Sequence, residues 1–401
     1  MTIYDALYAY LPERWQRPLW RLYFGLTPHL GLPIPIVRLR GPLRPHGRLA
    51  TLGVAGRAAW LRPYLSQRLF RSPPAVESVA TSTLWGLPAR LRELGAECDA
   101  TWTLLDDDNA SWALARDHLL LPSWVGVERP APPADGDVGT ITKSAVSDRR
   151  ILRRERLHVT ISRDPRDLAY FHAEHYLPTM RARHGEQAFL QSPQRARALL
   201  RRGFLVWSEQ DGKRLAGSLV ELRDGVLRLR ATGLCGGEQS LARRGAYAAI
   251  YYFVCRQARE LGAHTIDLGG CRPFLRDGVL RYKRKWGGAL SGRLRTSYDD
   301  LGLSWARFTP AVADLLAELA VVFRDAAGLS ALSCLDVGGP AGTADALRCH
   351  HLLWTSGLRR LYLASRYGWQ PGSTAPPDSV LLGPEEIGSS ADCLLRCRRS
   401  G

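Results

Sequence analysis

The sequence predicts an α+β fold: a mixed, largely antiparallel sheet with flanking helices. Three observations carry this. Residues 203–234 hold three apolar runs separated by the turns Gln210-Asp-Gly-Lys213 and Asp224-Gly225, the pattern of consecutive antiparallel strands. Residues 245–261 then space their apolar side chains as a helix does, closing at Gly262, and 264–268 reads as a strand running into Gly269-Gly270. The hydrophobic share of 45% and the charged share of 23% are ordinary globular values, which excludes collagen, coiled coil and wholesale disorder.

Taken in order, residues 1–26 place apolar side chains at helical spacing, with Pro12 marking a break. This arm either docks on its own core or makes a peripheral membrane contact. Residues 31–48 are rich in proline and glycine and read as a connector. Strands are expected at 49–54, 76–80, 98–105 and 119–125, with a helix at 87–94 capped by Gly95. The three prolines and Asp-Gly-Asp of 128–137 predict an exposed loop at a domain boundary. Beyond it lie a basic helix (144–156), a strand (158–161), a helical stretch (165–183) and a helix capped by Ser192 that extends to 202. The last hundred residues predict a helix (308–327), a strand (333–337), a helix (344–355), a strand (358–364) and a polar tail.

A length of 401 residues implies two or three domains. The expected division is an arm and connector (1–47), a first α/β unit (48–135), a second (136–300) and a C-terminal extension (301–401). No run of 18 apolar residues occurs, and the best candidate, 311–323, is broken by Asp314 and Glu318, so no membrane span is expected. The first residues carry Asp5, Glu13 and Arg14 and do not read as a signal peptide. The eight cysteines form no C-x-x-C and read as reduced, buried thiols of a cytoplasmic protein. The net charge is +17, and only four of the 55 basic residues are lysine. Such a surplus attracts phosphates, whether of a nucleotide, a tRNA or a membrane surface, although an arginine-rich genome accounts for part of it.

Phosphate-loop, dinucleotide and nucleophile-elbow signatures are absent. His172-Ala-Glu-His175 lacks a third ligand, so the pair reads as helix-face or substrate-facing and no metal is expected. Gly338-Gly-Pro-Ala-Gly342 reads as a turn. The informative stretch is 227–290. There Arg243-Arg244-Gly245 opens a long helix, which either gathers backbone N–H groups and two guanidiniums around a pyrophosphate or is a plain turn. Asp267 ends a strand beside two glycines, as a base or as the cap of that turn. Two of the four lysines, Lys283 and Lys285, fall in a cationic run; read as extended chain, they share a face and hold one anion.

Tyr251-Tyr252, Glu260-Leu-Gly262, Ile266-Asp-Leu-Gly269, Asp277-Gly278, Tyr282-Lys283 and Trp286-Gly287 together resemble the Fem-like branch of the GNAT acyltransferases. The basic stretch 149–156 and Phe171, Pro178, Arg181 and Gly185 extend the resemblance, which covers about 140–295. It implies a GNAT-like fold, with a degenerate first unit at 48–135, and acyl transfer. In this picture Asp267 is the base and Tyr282 the acid, Lys283 and Lys285 with Arg243, Arg244 and Gly245 hold the donor, and His172, His175 and Arg181 face the acceptor. The pattern Gln/Arg-x-x-Gly-x-Gly/Ala that binds CoA would fall on Ala242 and Tyr247, which do not match it. The expected function is transfer of an acyl group from an acyl thioester, on CoA or a carrier protein, to a small or lipid-linked amine. The alternatives are an aminoacyl-tRNA donor, as in Fem-like enzymes, and a non-catalytic GNAT-like binding module. Either donor is a co-substrate, and no tightly bound cofactor is expected.

Overall fold

In a computed structural model, residues 33–56, 60–105, 118–133, 143–185, 190–292, 300–325 and 328–399 are described. The arm expected at 1–26 lies outside them. They form two compact units: a first of Gly126–Gly270 with Tyr282–Ala289, and a second of residues 33–125, Cys271–Arg281 and the residues from Leu290 onward. These units do not coincide with cuts at 47, 135 and 300. The fold is mixed α+β, with largely antiparallel sheets and flanking helices.

Strands are numbered along the chain. In the second unit, β1 (Ile34–Pro42), β2 (Leu49–Gly56), β3 (Ala75–Ser82), β4 (Ala100–Leu105) and β5 (Leu119–Pro122) come first. The expected connector therefore contains a strand, with Ile34, Ile36 and Leu39 buried in it. Its prolines are tolerated by position: Pro35 is paired with Thr81 but lies before the β2 register begins, and Pro42 is the last paired residue. The helix at 87 also runs past Gly95 to Glu97, so that glycine is internal and Cys98 is the cap.

The first unit is a seven-stranded sheet in the order β12-β6-β11-β10-β9-β8-β7. It comprises β6 (Val125–Pro130), β7 (His158–Ser162), β8 (Gly203–Gln210), β9 (Lys213–Arg223), β10 (Val226–Leu234), β11 (Thr265–Cys271) and β12 (Ala289–Ser291). The segment 128–137, expected as a loop, begins as strand. Residues 128–130 belong to β6, and Arg129 is buried, its guanidinium donating to the Trp286 carbonyl at 2.8 Å. The proline-rich composition disrupts the chain only after this strand; residues 134–142 lie outside the described region. The hairpins at 210–213 and 223–226 are as expected. Asp211 (φ 49°) and Gly212 (φ 75°), then Asp224 (φ 51°) and Gly225 (φ 67°), put both central residues in the left-handed region, as a type I′ turn demands. The helix Ala246–Gln257 packs across β7, β8 and β9. Helices Pro165–Phe171 and Pro193–Leu200, N-capped by Asp164 and Ser192, build a core with Leu205, Trp207 and Leu219.

The second unit resumes with β13 (Asp300–Ser304), which completes a six-stranded sheet β3-β1-β2-β4-β13-β5. A four-stranded sheet follows, made of β14 (Val321–Asp325), β15 (Gly328–Leu335), β16 (Arg360–Ser365) and β17 (Ser379–Leu382). The helix expected at 308–327 ends at Leu319, because Ala320 turns left-handed (φ 51°) and Val321-Val322-Phe323 enters β14. The expected polar tail holds β17 and a helix, Ser390–Arg399, that buries Cys393 and Cys397. All eight cysteines are free thiols.

Candidate functional site

The feature that organises the first unit is a fork between two parallel strands. β10 pairs with β9 along its length, but with β11 only through Val226–Thr265, Leu227–Ile266 and Arg228–Asp267. Past that point β10 continues to Leu234 and β11 to Cys271 with no further register between them. A bulge between Leu229 and Ala231 lies just beyond the last paired residue of β10 and adds local twist.

Asp267 stands at the fork. One carboxylate oxygen accepts the Gly269 N–H at 2.7 Å, and the other lies 3.9 Å from Arg228 Nε. Gly269 (φ 81°) adopts a conformation that disfavours a side chain, so this short-range bond shapes the turn. Asp267 is thus a turn cap as well as a candidate base, with its side chain 20% exposed.

The cationic run departs from expectation. Gly278–Lys285 is a helix, not extended chain, so Lys283 and Lys285 are about 200° apart around its axis. Asp277 explains the helix: its Oδ1 accepts the N–H groups of Val279 and Leu280, the N-cap bond that a strand would not use. Lys283 is buried and donates to the Gly270 carbonyl at 2.7 Å, whereas Lys285 lies 2.5 Å from Asp148. The two ammoniums therefore serve different partners.

The loop before the long helix also differs from a bare anion cradle. Arg243 is exposed at the end of the short helix Gln239–Arg243. Arg244 bonds the Gln210 side chain and lies 3.4 Å from Glu155. Gly245 (φ 91°) starts the helix in the left-handed region, against Ile151, Leu152 and Leu157. Tyr247, in the first turn, is buried, and burial raises its phenol pKa despite Arg183 over its ring.

Tyr282 sits edge-on to Tyr251, centroids 5.1 Å apart, with Trp286 packed on Tyr251. Burial, reinforced by Tyr251, pushes its hydroxyl well above the usual phenol range, so it is a neutral O–H donor at any physiological pH.

The two histidines are not a metal pair. His172 Nε2 donates to the Gln191 carbonyl at 3.0 Å and His175 Nε2 to the Arg214 carbonyl at 3.1 Å. His175 is buried among Tyr170, Phe171 and Trp207, with its ring centre 5.1 Å from that of Trp207. Burial lowers its pKa, so it is a neutral core residue and not a substrate contact. Arg181 is exposed on the helix Leu177–His184. Between the helices flanking His175 lies one π-helical turn, His172–Tyr176. It lays its backbone on β10 and the turn that follows. A methyl group on Gly233 would collide with the His175 carbonyl, and one on Gly237 would come within 2.8 Å of the Pro178 carbonyl oxygen.

One ionic cluster had no signal in the sequence. Glu221 on β9 is buried, with Arg202 at 3.1 Å and Arg230 at 2.6 Å. Burial alone would raise its carboxyl, but Arg230, Arg202 and Arg228 together hold it below the usual carboxylate range. Arg228 and Arg230 stand on β10 and Arg202 follows the helix Pro193–Leu200, and only the folded sheet brings the two segments to Glu221 on β9.

No protein-family model and no curated protein matches the chain. Among solved structures it is similar to FemX, with 13% identity and a TM-score of 0.36, over 74% of this chain and 94% of that one. It is also similar to L-PGS from Bacillus licheniformis, with 9% identity and a TM-score of 0.34, over 70% and 88% respectively. A GCN5-related N-acetyltransferase from Kribbella flavida gives 12% identity and a TM-score of 0.26, over 71% and 58%. These likenesses are loose and leave the function to the chain's own geometry.

Proposed function

We propose that the chain is an acyltransferase that moves an acyl group from an activated donor to an amine. The observation that carries the reading is the fork between β10 and β11. Where two parallel strands part, the facing edges can hold an extended acyl or aminoacyl chain as an added strand is held, by backbone hydrogen bonds. The fork ends on Asp267, so the reactive carbonyl of such a chain would come to rest beside a carboxylate able to take the proton of an attacking amine. Tyr282, kept neutral, is the candidate acid for the leaving group. Lys283 acts indirectly, fixing the Gly270 carbonyl on the β11 arm.

For the donor, an acyl thioester is one reading. The loop favours the second, an aminoacyl ester of tRNA. Arg244 is already engaged by Glu155 and Gln210, and Tyr247 fills a position where a CoA pyrophosphate loop needs a small residue. An exposed arginine face on the helix Lys143–Arg154, with Arg150, Arg153 and Arg154, suits a polyanionic donor. The acceptor is a small or lipid-linked amine.

The purified chain would be incubated with acetyl-CoA or with a charged tRNA pool, each with and without a panel of amines. Acyl-amide product would be read by mass spectrometry. Amine-dependent product from one donor supports the reading and names the donor. Asp267→Asn, whose side-chain oxygen can still accept from Gly269, should lower turnover by roughly 100-fold or more. No product from either donor would sink the enzymatic reading and leave a non-catalytic binding module.

A further inference from the structure

We infer that the second unit carries a binding site for a divalent transition-metal ion, zinc by its donor set, built from His46, Asp314 and Asp336. The three side chains come from distant segments. His46 lies in the turn between β1 and β2, which is closed by the Gly47 N–H on the Leu43 carbonyl at 2.7 Å. Asp314 projects from the helix Pro310–Leu319, and Asp336 follows β15. One ligand atom from each lies within 4.8 Å of the others, and His46 Nδ1 is 2.8 Å from Asp314 Oδ1. Donors held 2.0–2.2 Å from a tetrahedral zinc lie about 3.4 Å apart, so sub-ångström to ångström side-chain shifts close the set.

The second observation is Asp314 itself. Its side chain has no solvent exposure, and its Oδ2 accepts no hydrogen bond. A buried carboxylate oxygen without a partner is costly, whereas its sister oxygen is crowded, taking both His46 Nδ1 and Arg48 at 2.8 Å. A metal ion would satisfy the bare oxygen. Asp336 is steadied from behind, its Oδ1 accepting the Gly338 N–H at 3.3 Å, which leaves Oδ2 for a ligand role.

Arg48 is the group such an ion meets first. Its guanidinium bridges Asp314 and Asp336, the latter through two contacts of 3.3 Å. Its side chain is 31% exposed, so it can swing outward. Two carboxylates against one guanidinium leave a net negative charge that a divalent ion reverses. One imidazole nitrogen with two carboxylates is a borderline-to-hard donor set, and three protein ligands leave an open coordination position.

The test uses the full chain after dialysis against a chelator. Cobalt(II) is titrated in, the visible spectrum is followed, and zinc is then used to displace it. The expected result is about one equivalent of cobalt, with d–d bands and no thiolate charge transfer, although the chain has eight free thiols. His46→Ala, at a side chain 43% exposed, should weaken binding at least tenfold, and Asp336→Asn likewise. Arg48→Met should tighten it. Zinc should raise the melting temperature of the natural chain but not of the His46→Ala chain. Absence of cobalt bands, bands carrying thiolate charge transfer, or undiminished affinity in His46→Ala would each overturn the assignment.

Discussion

Lys283 donates its ammonium to the carbonyl of Gly270, 2.7 Å away, from a side chain that is almost fully buried. A donor-binding lysine on the surface could be replaced without consequence for folding; this one cannot. Lys283→Met keeps the aliphatic stem and removes a charge-assisted bond worth about 1.5–3 kcal/mol. Urea unfolding should register a loss of that order. An unchanged midpoint would return Lys283 to the role of a ligand contact.

Gly233 is expected to tolerate nothing larger. A methyl group there meets the backbone of His175 and Tyr176, which cannot rotate away as a side chain can. Gly233→Ala should cost about 3 kcal/mol, at the upper end of overpacking penalties. Gly95→Ala, inside a helix with open space around it, should be neutral or stabilising and serves as the control. Equal unfolding midpoints for the two variants would contradict this packing.

His175 makes stability depend on pH in a defined direction. Its folded pKa is lowered by burial, so below the unfolded value of about 6.5 the unfolded chain binds a proton that the folded chain refuses. Its contribution is therefore intact above that value and is lost as pH falls through it toward the folded pKa. His175→Gln should be less stable than the natural chain at pH 7.5 and lose less on acidification to pH 5.5. Parallel pH profiles of the two chains, taken from urea midpoints, would refute a neutral buried imidazole.

Glu221→Gln is expected to cost about 3 kcal/mol, because it removes the buried carboxylate that faces Arg202 and Arg230. With its carboxyl held low by these arginines, the natural chain loses this contribution only in acid, as pH falls through the folded pKa. The variant should be insensitive there. Chemical denaturation at neutral and acid pH separates the two behaviours.

The parts of the fold legible in the sequence were those decided locally. Asp211-Gly212 and Asp224-Gly225 specify their turns by backbone conformation alone, so the β8–β9–β10 meander followed directly. Ser192 and Asp164 announced their helices in the same way. What escaped was decided by partners far away in the chain. β1 was hidden by its prolines, which are accommodated only because the register places Pro35 ahead of the β2 pairing and Pro42 at its end. The 311–323 stretch carries only Asp314 and Glu318 among apolar residues, and no periodicity marks where helix gives way to β14 at Ala320. Asp267 could be singled out from Asp-Leu-Gly-Gly, but the fork could not, because it depends on where the pairing of β10 with β11 stops. The helical phase of Lys283 and Lys285 turns on the Asp277 cap, which competes with an extended reading of the same basic run. The Glu221 cluster had no local signature at all.

The π-helical turn at His172–Tyr176 means that the chain contains one residue more than a continuous helix through 165–184 would need. Deleting a single residue there would restore regular winding and leave everything after it near its present phase, because the wide turn takes up the surplus residue within its own circuit. Pro178 and Thr179 would keep their places against Gly237 and Leu234, but the His175 carbonyl that lies over Gly233 would be drawn back into the helix. The surplus residue ought therefore to behave as an insertion whose removal is felt at β10 and not in the rest of the helix.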